Sequence, residues 1–329
     1  MTAERLESLG WNEAIAAQFA PHEGKGWRPA RVAVEHRSSY ELIAEQGEES
    51  AGLSGRLRHE AKGKGELPAV GDWVAVSGAF GGGSVESLLP RRSAFVRKAA
   101  GERRDLQIVA ANVDVVFLVT SLNSELSLRR LERYLTLAWE SGAAPVIILA
   151  KSDLADNADA VRLEVETVAG GVPVHVTSAL SGAGIDAIRA HLQPHRTGAL
   201  LGSSGVGKST LINALLGYSR QSTGAIREGD DKGRHTTTRR ELVVLPGGGI
   251  LIDTPGMREL QIADAGHGLL SAFDDIDKLA AQCAFGDCTH GPEPDCAVKA
   301  AVRSGALDSE RLEGYHKLVR ELAARASWA

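Results

Sequence analysis

The sequence predicts a multidomain protein with a small N-terminal β-barrel, a central α/β domain and a mainly helical C-terminal domain. Three observations predict this order. Short β-rich segments broken by glycine fill residues 24–95, and apolar strands alternate with helical stretches over residues 112–262. All three cysteines lie between Cys283 and Cys296. The chain of 329 residues is long enough for several hydrophobic cores.

Residues 1–22 are predicted to be a helical extension that precedes the barrel. Trp11, Ile15 and Phe19 recur at intervals of four, which indicates a short amphipathic helix. A basic region followed by an apolar run, which would mark a signal peptide, is absent from this segment. The longest apolar run, Ala143 to Ala150, is far below the ~20 residues of a membrane-spanning helix. We therefore expect a cytoplasmic protein with no membrane partner.

Residues 23–100 are assigned to the barrel. Segments such as RPARVAVEH and VGDWVAVSG have the alternation and turn signals of short strands. The run 91–104 holds six basic residues against one acid, and residues 56–64 add four more. Such runs mark either a solvated surface or an RNA-facing patch, and both interpretations stay open. The net charge of −5 adds no general attraction to nucleic acid.

Residues 101–265 are predicted to be a nucleotide-binding domain, because they contain a phosphate-binding loop. The string GSSGVGKST matches G-x-x-x-x-G-K-[ST] and lies between an apolar strand and a helix. Glycines let backbone N–H groups converge on phosphates, and the helix N-terminus adds partial positive charge. We expect Lys208 to reach the β- and γ-phosphates and Ser209 to ligate Mg²⁺. The predicted loop residues are Gly202, Ser203, Ser204, Gly205, Val206, Gly207, Lys208, Ser209 and Thr210.

Two further strings are expected to complete the site for Mg²⁺ and the γ-phosphate. The strand LID ends in D-T-P-G, where Asp253 suits Mg²⁺ binding through the water shell and the Gly256 amide suits the γ-phosphate. The polar stretch before it contains GRHTTT, in which we favour Thr237 as a Mg²⁺ ligand. The structural alternatives are an ordinary turn for the first string and a β-branched strand entry for the second.

The base is predicted to be guanine. Strand PVIIL ends in Ala150-Lys151-Ser152-Asp153, close to the N-K-x-D pattern, and a carboxylate at Asp153 accepts from guanine N1–H and N2–H₂. The Lys151 stem would cover the face of the base. In the later string TSAL, Ser178 and Ala179 resemble the S-A element, whose backbone amide approaches the guanine oxygen. Ala150, Lys151, Ser152 and Asp153 are all predicted to bind GTP, although Ala150 lacks the bonds of the usual asparagine.

These base-reading strings precede the phosphate loop, whereas in ordinary small GTPases they follow it. A circular permutation explains the order: the chain ends are joined ahead of the phosphate loop and reopened between D-T-P-G and strand VDVVFLVT. Ordinary GTPases also carry a glutamine after D-x-x-G that orients the attacking water. Here that position is Met257, and His235 in the GRHTTT string is a candidate catalytic replacement.

Residues 266–329 are predicted to be a helical domain around a zinc site. Cys283, Cys288, His290 and Cys296 supply three thiolates and one imidazole within fourteen residues. Such a set closes a tetrahedral site for one Zn²⁺ and leaves no position for water, which predicts a structural metal. The alternative is three buried thiols with an incidental histidine.

Taken together, the sequence resembles the RsgA (YjeQ) family of circularly permuted GTPases that depend on the small ribosomal subunit. The strings that carry the resemblance are GRLRHE, GDWV, AANVD, GSSGVGKST, GRHTTT and DTPGM. It covers nearly the whole chain and implies an OB-like RNA-binding barrel. It also implies hydrolysis of GTP to GDP and phosphate, stimulated by the small subunit during its late maturation. The implied partners are that subunit, its rRNA and assembly factors, with a monomeric protein. The implied cofactors are Mg²⁺ with GTP and one Zn²⁺.

Other interpretations stay open at this point. One is a permuted GTPase with another ribosomal or RNA target. Another is a P-loop ATPase or kinase fused to a nucleic-acid-binding module, which Asp153 disfavours. A protein that binds GTP without turnover is also conceivable because of Met257, and a group supplied by the ribosome is an alternative to His235.

Overall fold

The structure is a computed structural model that describes residues 3–98, 106–122, 126–218, 240–253, 273–285 and 288–326. None of the helices in these ranges combines the length and apolar character needed to cross a bilayer.

The N-terminal extension contains two helices where the sequence analysis predicted one through Trp11. These are α1 (Ala3–Ser8) and α2 (Glu13–Glu23). Asn12 separates them because it is extended and its Oδ1 accepts from the Ile15 amide at 3.1 Å, which caps α2. Ile15 and Phe19 are buried as predicted, and Trp11 packs edge-on against Trp73 of the barrel.

A five-stranded barrel follows. Its strands are β1 (Arg28–Glu35), β2 (Tyr40–Ala44), β3 (Gly47–Leu53), β4 (Trp73–Ser77) and β5 (Ser84–Leu88). They lie in the order β1-β2-β3-β5-β4, and β4 closes the barrel by pairing with β1. Only the β3–β5 pairing is parallel. GRLRHE, which the sequence analysis placed among the β-rich segments, forms α3 (Gly55–Glu60) because Ser54 caps it.

Part of the basic run after the barrel has a structural role, which neither interpretation of the sequence anticipated. Arg91 forms a salt bridge of 2.7 Å with Asp72, whose side chain is fully buried. Its guanidinium also donates to the carbonyls of Gly65 and Leu67. Burial raises the pKa of Asp72, and the hydrogen bond and charge of Arg91 oppose that rise. The run continues into a separate hairpin of β6 (Ala94–Lys98) and β7 (Leu106–Ala111).

The central domain contributes six strands in the order β10-β9-β8-β11-β13-β12, parallel except for β12, and β12 continues the sheet into the barrel by pairing with β1. Its strands are β8 (Val115–Ser121), β9 (Ala144–Ala150), β10 (Val174–Val176), β11 (Thr197–Leu201), β12 (Glu241–Val244) and β13 (Ile250–Asp253). The helices between them are α4 (Leu128–Ser141), α5 (Ala158–Ala169), α6 (Ile185–Ala190) and α7 (Lys208–Leu216).

Both faces of this sheet are covered, as parallel sheets require. Val116 and Leu118 of β8 belong to the same buried cluster as Leu135 of α4. The alternate residue Phe117 belongs to the opposite cluster with Leu215 of α7. The strands therefore place a helix layer on each side and leave their carboxyl ends at one edge.

The C-terminal domain contributes α8 (Asp274–Ala280), α9 (Ala297–Ser304) and α10 (Ser309–Ala326). Asp308 Oδ1 accepts from the Glu310 amide at 2.7 Å at the start of α10.

A single arginine joins the extension, the barrel and the central domain. Arg31 of β1 is 1% exposed and donates to the carbonyls of Leu9, Gly71 and Asn112 and to Thr197 Oγ1 at the start of β11. Burial lowers its pKa to about 10, so the guanidinium remains charged at neutral pH. The strand that leads into the phosphate loop is thus tied to the barrel.

Candidate functional site

The predicted phosphate loop connects β11 to α7, the strand-to-helix context that the motif requires. Gly205 and Gly207 have φ of +78° and +105°, which favour glycine. A Cβ added at Gly202 would lie 2.3 Å from the carbonyl oxygen of Val119. The glycines of this loop are therefore required by its path from β11, past Val119 of β8, into α7.

Two cations converge on Ser203 in this loop. Lys208 Nζ donates to the carbonyls of Gly202 and Ser203 at 2.8 and 2.6 Å. Arg130 Nη1, from the first turn of α4, donates to Ser203 Oγ at 2.9 Å. Arg130 was not predicted from the sequence, because it belongs to no nucleotide-binding motif and lies 73 residues before its partner.

Two of the three predicted Mg²⁺ ligands, Ser209 and Asp253, lie within the described residues. Strands β11 and β13 pair in parallel with Ala199 opposite Ile252, so Asp253 at the end of β13 lies at the sheet edge where the phosphate loop starts. Ser209 lies in the first turn of α7. Thr237, together with the predicted His235 and Gly256, lies outside the described residues.

A cavity of about 210 Å³ brings three predicted strings together. It is lined by Ala150, Lys151, Asp153, Leu154, Thr177, Ala179, Leu180, Gly207, Thr210 and Leu211. These residues come from the string after β9, the string after β10 and the start of α7. The cavity therefore adjoins the phosphate loop, which is where a base attached through a ribose to the phosphates has to lie.

Asp153 is held in place by the string after β10. Its Oδ1 accepts from Ser178 Oγ at 2.5 Å, and Ser178 is buried. The amide of Ser152 donates to the carbonyl of Thr177 at 3.0 Å, which fixes the two strings relative to each other. Lys151 adopts a left-handed conformation with φ of +62°.

Ala150 fills the position of the usual asparagine with a methyl group. Ala150 is buried, and its Cβ lies 3.9 Å from the point where a Cβ on Gly207 would lie. Lys151 Cε lies at the same distance from that point. The Ala150–Asp153 string therefore lies next to Gly207 of the phosphate loop.

The strand order demonstrates the permutation that the motif order predicts. β9 and β10, which carry the base-reading strings, precede β11 in the chain. In the sheet they lie on one side of β8 and β11, and β13 and β12 lie on the other. The parts of the site therefore surround β11, although they occur along the chain in a permuted order.

The four predicted metal ligands form one cluster in the C-terminal domain. The ligand atoms of Cys283, Cys288, His290 and Cys296 all lie within 4.8 Å of one another. Cys283 Sγ lies 3.9 Å from Cys296 Sγ, and His290 Nδ1 lies 3.7 and 3.6 Å from these two sulfurs. Tetrahedral Zn²⁺ with ordinary bond lengths requires S···S near ~3.8 Å and S···N near ~3.6 Å. The donor set therefore fits a tetrahedral metal.

The loop around these ligands is fixed by its own hydrogen bonds. Cys296 caps α9, and its Sγ accepts from the Lys299 amide at 3.4 Å. The Glu293 carboxylate accepts from the amides of Thr289 and Gly291. Hydrogen bonds lower the pKa of Glu293 to about 2, and the bond from the Thr289 hydroxyl contributes most. The ligands are therefore held close together by surrounding contacts.

Known proteins share this arrangement. A family model described as RsgA GTPase matches residues 88–263. A protein from Opitutus terrae named small ribosomal subunit biogenesis GTPase RsgA is 48% identical, over 98% of this chain and 90% of its own. The chain belongs to the RsgA GTPase family. An RsgA of the same name from Methanosarcina acetivorans is 46% identical, over 97% of this chain and 86% of its own.

A solved structure agrees with this RsgA-family assignment. The crystal structure of YjeQ from Thermotoga maritima aligns with a TM-score of 0.68 at 30% identity and covers 90% of this chain and 99% of that chain. This RsgA-family protein is therefore a GTP hydrolase with a barrel, a permuted P-loop domain and a Cys₃His cluster.

Proposed function

We propose that this GTPase hydrolyses GTP to GDP and phosphate during late biogenesis of the small ribosomal subunit, and that the subunit stimulates hydrolysis. The observation that carries the nucleotide part is the cavity that joins Asp153, Ala179 and the start of α7. The ribosomal part rests on the relatives named small ribosomal subunit biogenesis GTPase, which match this chain over nearly its whole length.

Phosphate binding is assigned to the loop 202–210. The Lys208 ammonium exchanges the carbonyls of Gly202 and Ser203 for β- and γ-phosphate oxygens, and the loop amides bind the same groups. When bound, Mg²⁺ would supply positive charge next to those oxygens. Ser209, Asp253 and Thr237 are the proposed residues that hold it, and the Gly256 amide contacts the γ-phosphate.

Guanine selection is assigned to Asp153. Its carboxylate accepts from guanine N1–H and N2–H₂, a pattern that adenine does not offer. The bond from Ser178 fixes the carboxylate, Lys151 covers the base, and the Ala179 amide donates to the guanine oxygen. The methyl of Ala150 leaves this string without the asparagine's hydrogen bonds, so we expect GTP affinity to depend strongly on Asp153.

The attacking water has to be oriented by a polar group, and the side chain of Met257 cannot do this. We propose His235 as that group, with a residue or nucleotide of the ribosome as the alternative. His235→Ala assayed with small subunits distinguishes them, because unchanged stimulated turnover excludes His235.

The other proposed roles belong to the C-terminal domain and to the barrel. The metal held by the Cys₃His cluster is one structural Zn²⁺, because the set is closed to substrate. The OB-like barrel contributes to rRNA binding through the basic residues that remain exposed, so ribosome binding should weaken with salt. We further propose a cytoplasmic monomer that contacts assembly factors on the subunit.

The decisive experiment measures GTP turnover by the purified protein alone, with small subunits and with large subunits. Stimulation by small subunits alone supports the proposal, whereas stimulation by large subunits alone assigns a different target. Excess ATP should not compete, and effective competition by ATP would refute guanine selection by Asp153. Native mass spectrometry should give one zinc per monomer.

A further inference from the structure

The position of Arg130 is set by the start of α4, which is not part of a nucleotide-binding motif. Ser127 caps the helix, and its Oγ accepts from the Arg130 amide at 3.4 Å. The exposed side chain then reaches Ser203 Oγ. Because Lys208 Nζ bonds the carbonyl of the same residue at 2.6 Å, the two cations hold Ser203 by its side chain and by its main chain.

The other side of α4 is anchored in the C-terminal domain. Glu132 lies two residues after Arg130 and pairs with Arg311 of α10 at 2.8 Å, with both side chains 7% exposed. Arg311 also makes two 2.8 Å bonds to Asp275 of α8. Gly314 allows α10 to approach, because a Cβ there would lie 2.8 Å from Glu132 Oε2. The helix that carries Arg130 is therefore in direct contact with the docked C-terminal helices.

We propose that Arg130 is a positioning residue of the GTP hydrolysis site. It holds Ser203, and so the first half of the phosphate loop, in the conformation in which Lys208 and the loop amides meet the γ-phosphate. A guanidinium suits this role because it has five N–H donors, one of which can bond the Ser203 hydroxyl. It is also always charged, and its positive charge attracts the phosphates. The inference rests on the proposed GTP hydrolysis and deepens it.

Loss of the Arg130–Ser203 bond is expected to affect turnover more than folding or ground-state binding. The Arg130–Ser203 bond is exposed, so its loss should change stability little. Charge on the γ-phosphoryl oxygens is redistributed in the transition state, and a loop held less firmly stabilises that charge less well. Interactions that matter only in the transition state lower kcat and leave ground-state affinity unchanged.

The test uses Arg130→Ala, Arg130→Lys, Ser203→Ala and the Arg130→Ala/Ser203→Ala double variant in the full-length protein. Turnover is measured with and without small subunits, and GDP affinity by equilibrium titration. We expect Arg130→Ala to lower kcat about tenfold with GDP affinity changed less than twofold. Arg130→Lys should recover part of the loss, since it retains a charged donor. The double variant should be no slower than Arg130→Ala alone, because both substitutions remove one interaction.

Arg129→Ala is the matched control. Arg129 is the preceding residue on the same helix and is also exposed, but it pairs with Glu313 at 3.3 Å and not with the loop. Its substitution should leave kcat within twofold of the wild type. An equal loss in this variant would mean that the first turn of α4 matters only as a basic surface, and would overturn the inference.

Three other outcomes overturn it: unchanged kcat in Arg130→Ala, additive losses in the double variant, or a loss confined to KM and GDP affinity. Should Arg130→Ala fail to fold, Ser203→Ala removes the same bond from the other side, and unchanged kcat in that variant overturns the inference. Absence of stimulation by small subunits in the wild type refutes the proposed ribosomal role. The Arg130 comparison is then made on intrinsic turnover, which keeps the two conclusions separate.

Discussion

The contact between the C-terminal domain and α4 includes a buried ion pair, Glu132–Arg311, and Arg311→Leu tests its contribution. The substitution leaves the Glu132 carboxylate buried without its cation, whereas Asp275 stays solvated because its side chain is 43% exposed. Removing one partner of a buried pair costs about 3–5 kcal/mol. We expect a value near the lower end, since protonation of Glu132 limits the cost.

The pH dependence of this cost follows from the pKa of Glu132. Burial raises that pKa, and the hydrogen bond and charge of Arg311 oppose the rise. Without Arg311 the pKa of Glu132 rises further. Glu132 in the folded variant then keeps a proton that the same residue in the unfolded chain loses above about pH 4.5. Stability of the variant then falls as pH rises through this window. Arg311→Leu should therefore be more strongly destabilised at pH 7.5 than at pH 5.5.

Hydrogen exchange suits this measurement, because a multidomain protein does not unfold in two states. At pH 7.5, amides of residues 309–320 should exchange about 100-fold faster or more, which corresponds to about 3 kcal/mol in the opening free energy. The Glu132→Leu/Arg311→Leu variant should recover most of the protection, because no buried charge is left unpaired.

The exposed Arg129–Glu313 pair between the same two helices provides the control. Glu313→Gln should change exchange by less than about fivefold, since exposed pairs contribute about 0–1 kcal/mol. An Arg311→Leu variant whose exchange accelerates less than tenfold, or equally at both pH values after correction for intrinsic rates, would refute the reasoning.

Three further predictions concern other parts of the molecule. Asp153→Asn should weaken GTP binding about 10- to 100-fold, because a bidentate contact is worth about 1–3 kcal/mol; unchanged affinity in a titration would remove Asp153 from the base site. Chelation of the metal should speed hydrogen exchange in residues 288–326 and leave β8–β11 unchanged, and metal analysis of Cys296→Ser should show its loss. Burial lowers the pKa of both His175 and His191, which lie 2.8 Å apart, so the unfolded chain binds more protons below about pH 6.5 and stability falls on acidification. His191→Gln should weaken that fall in thermal melts between pH 5 and 7, and an identical slope would contradict the assignment.

Features carried by short strings could be predicted from the sequence. The phosphate loop needs glycines at fixed offsets, and the metal cluster draws its four ligands from fourteen residues, so local spacing determines both. The sheet was predictable because apolar strands that are buried on both faces differ from the amphipathic helices between them. The permutation followed from the order of the strings alone.

Two predicted elements differ from the structure, and these differences also have a local cause. The interval of four in Trp11, Ile15 and Phe19 suggested one helix, but Asn12 competes for the backbone and starts a new one. Ser54 likewise begins a helix inside a stretch with β-like composition. In both cases the hydrophobic pattern was correct about burial, and a capping side chain decided the boundary.

The contacts between domains lay beyond sequence reasoning for a different reason. Arg31, Arg130 and Arg311 bond partners that are 166, 73 and 179 residues away in the chain. A guanidinium accepts almost any set of oxygens, so its own sequence neighbourhood does not indicate its partner. Such contacts form only in the folded chain, which brings the start of β11 to Arg31 of the barrel and α10 to α4. The phosphate loop is consequently held from two sides, by Arg31 through β11 and by Arg130 through α4, and the second of these is the one the C-terminal domain can influence.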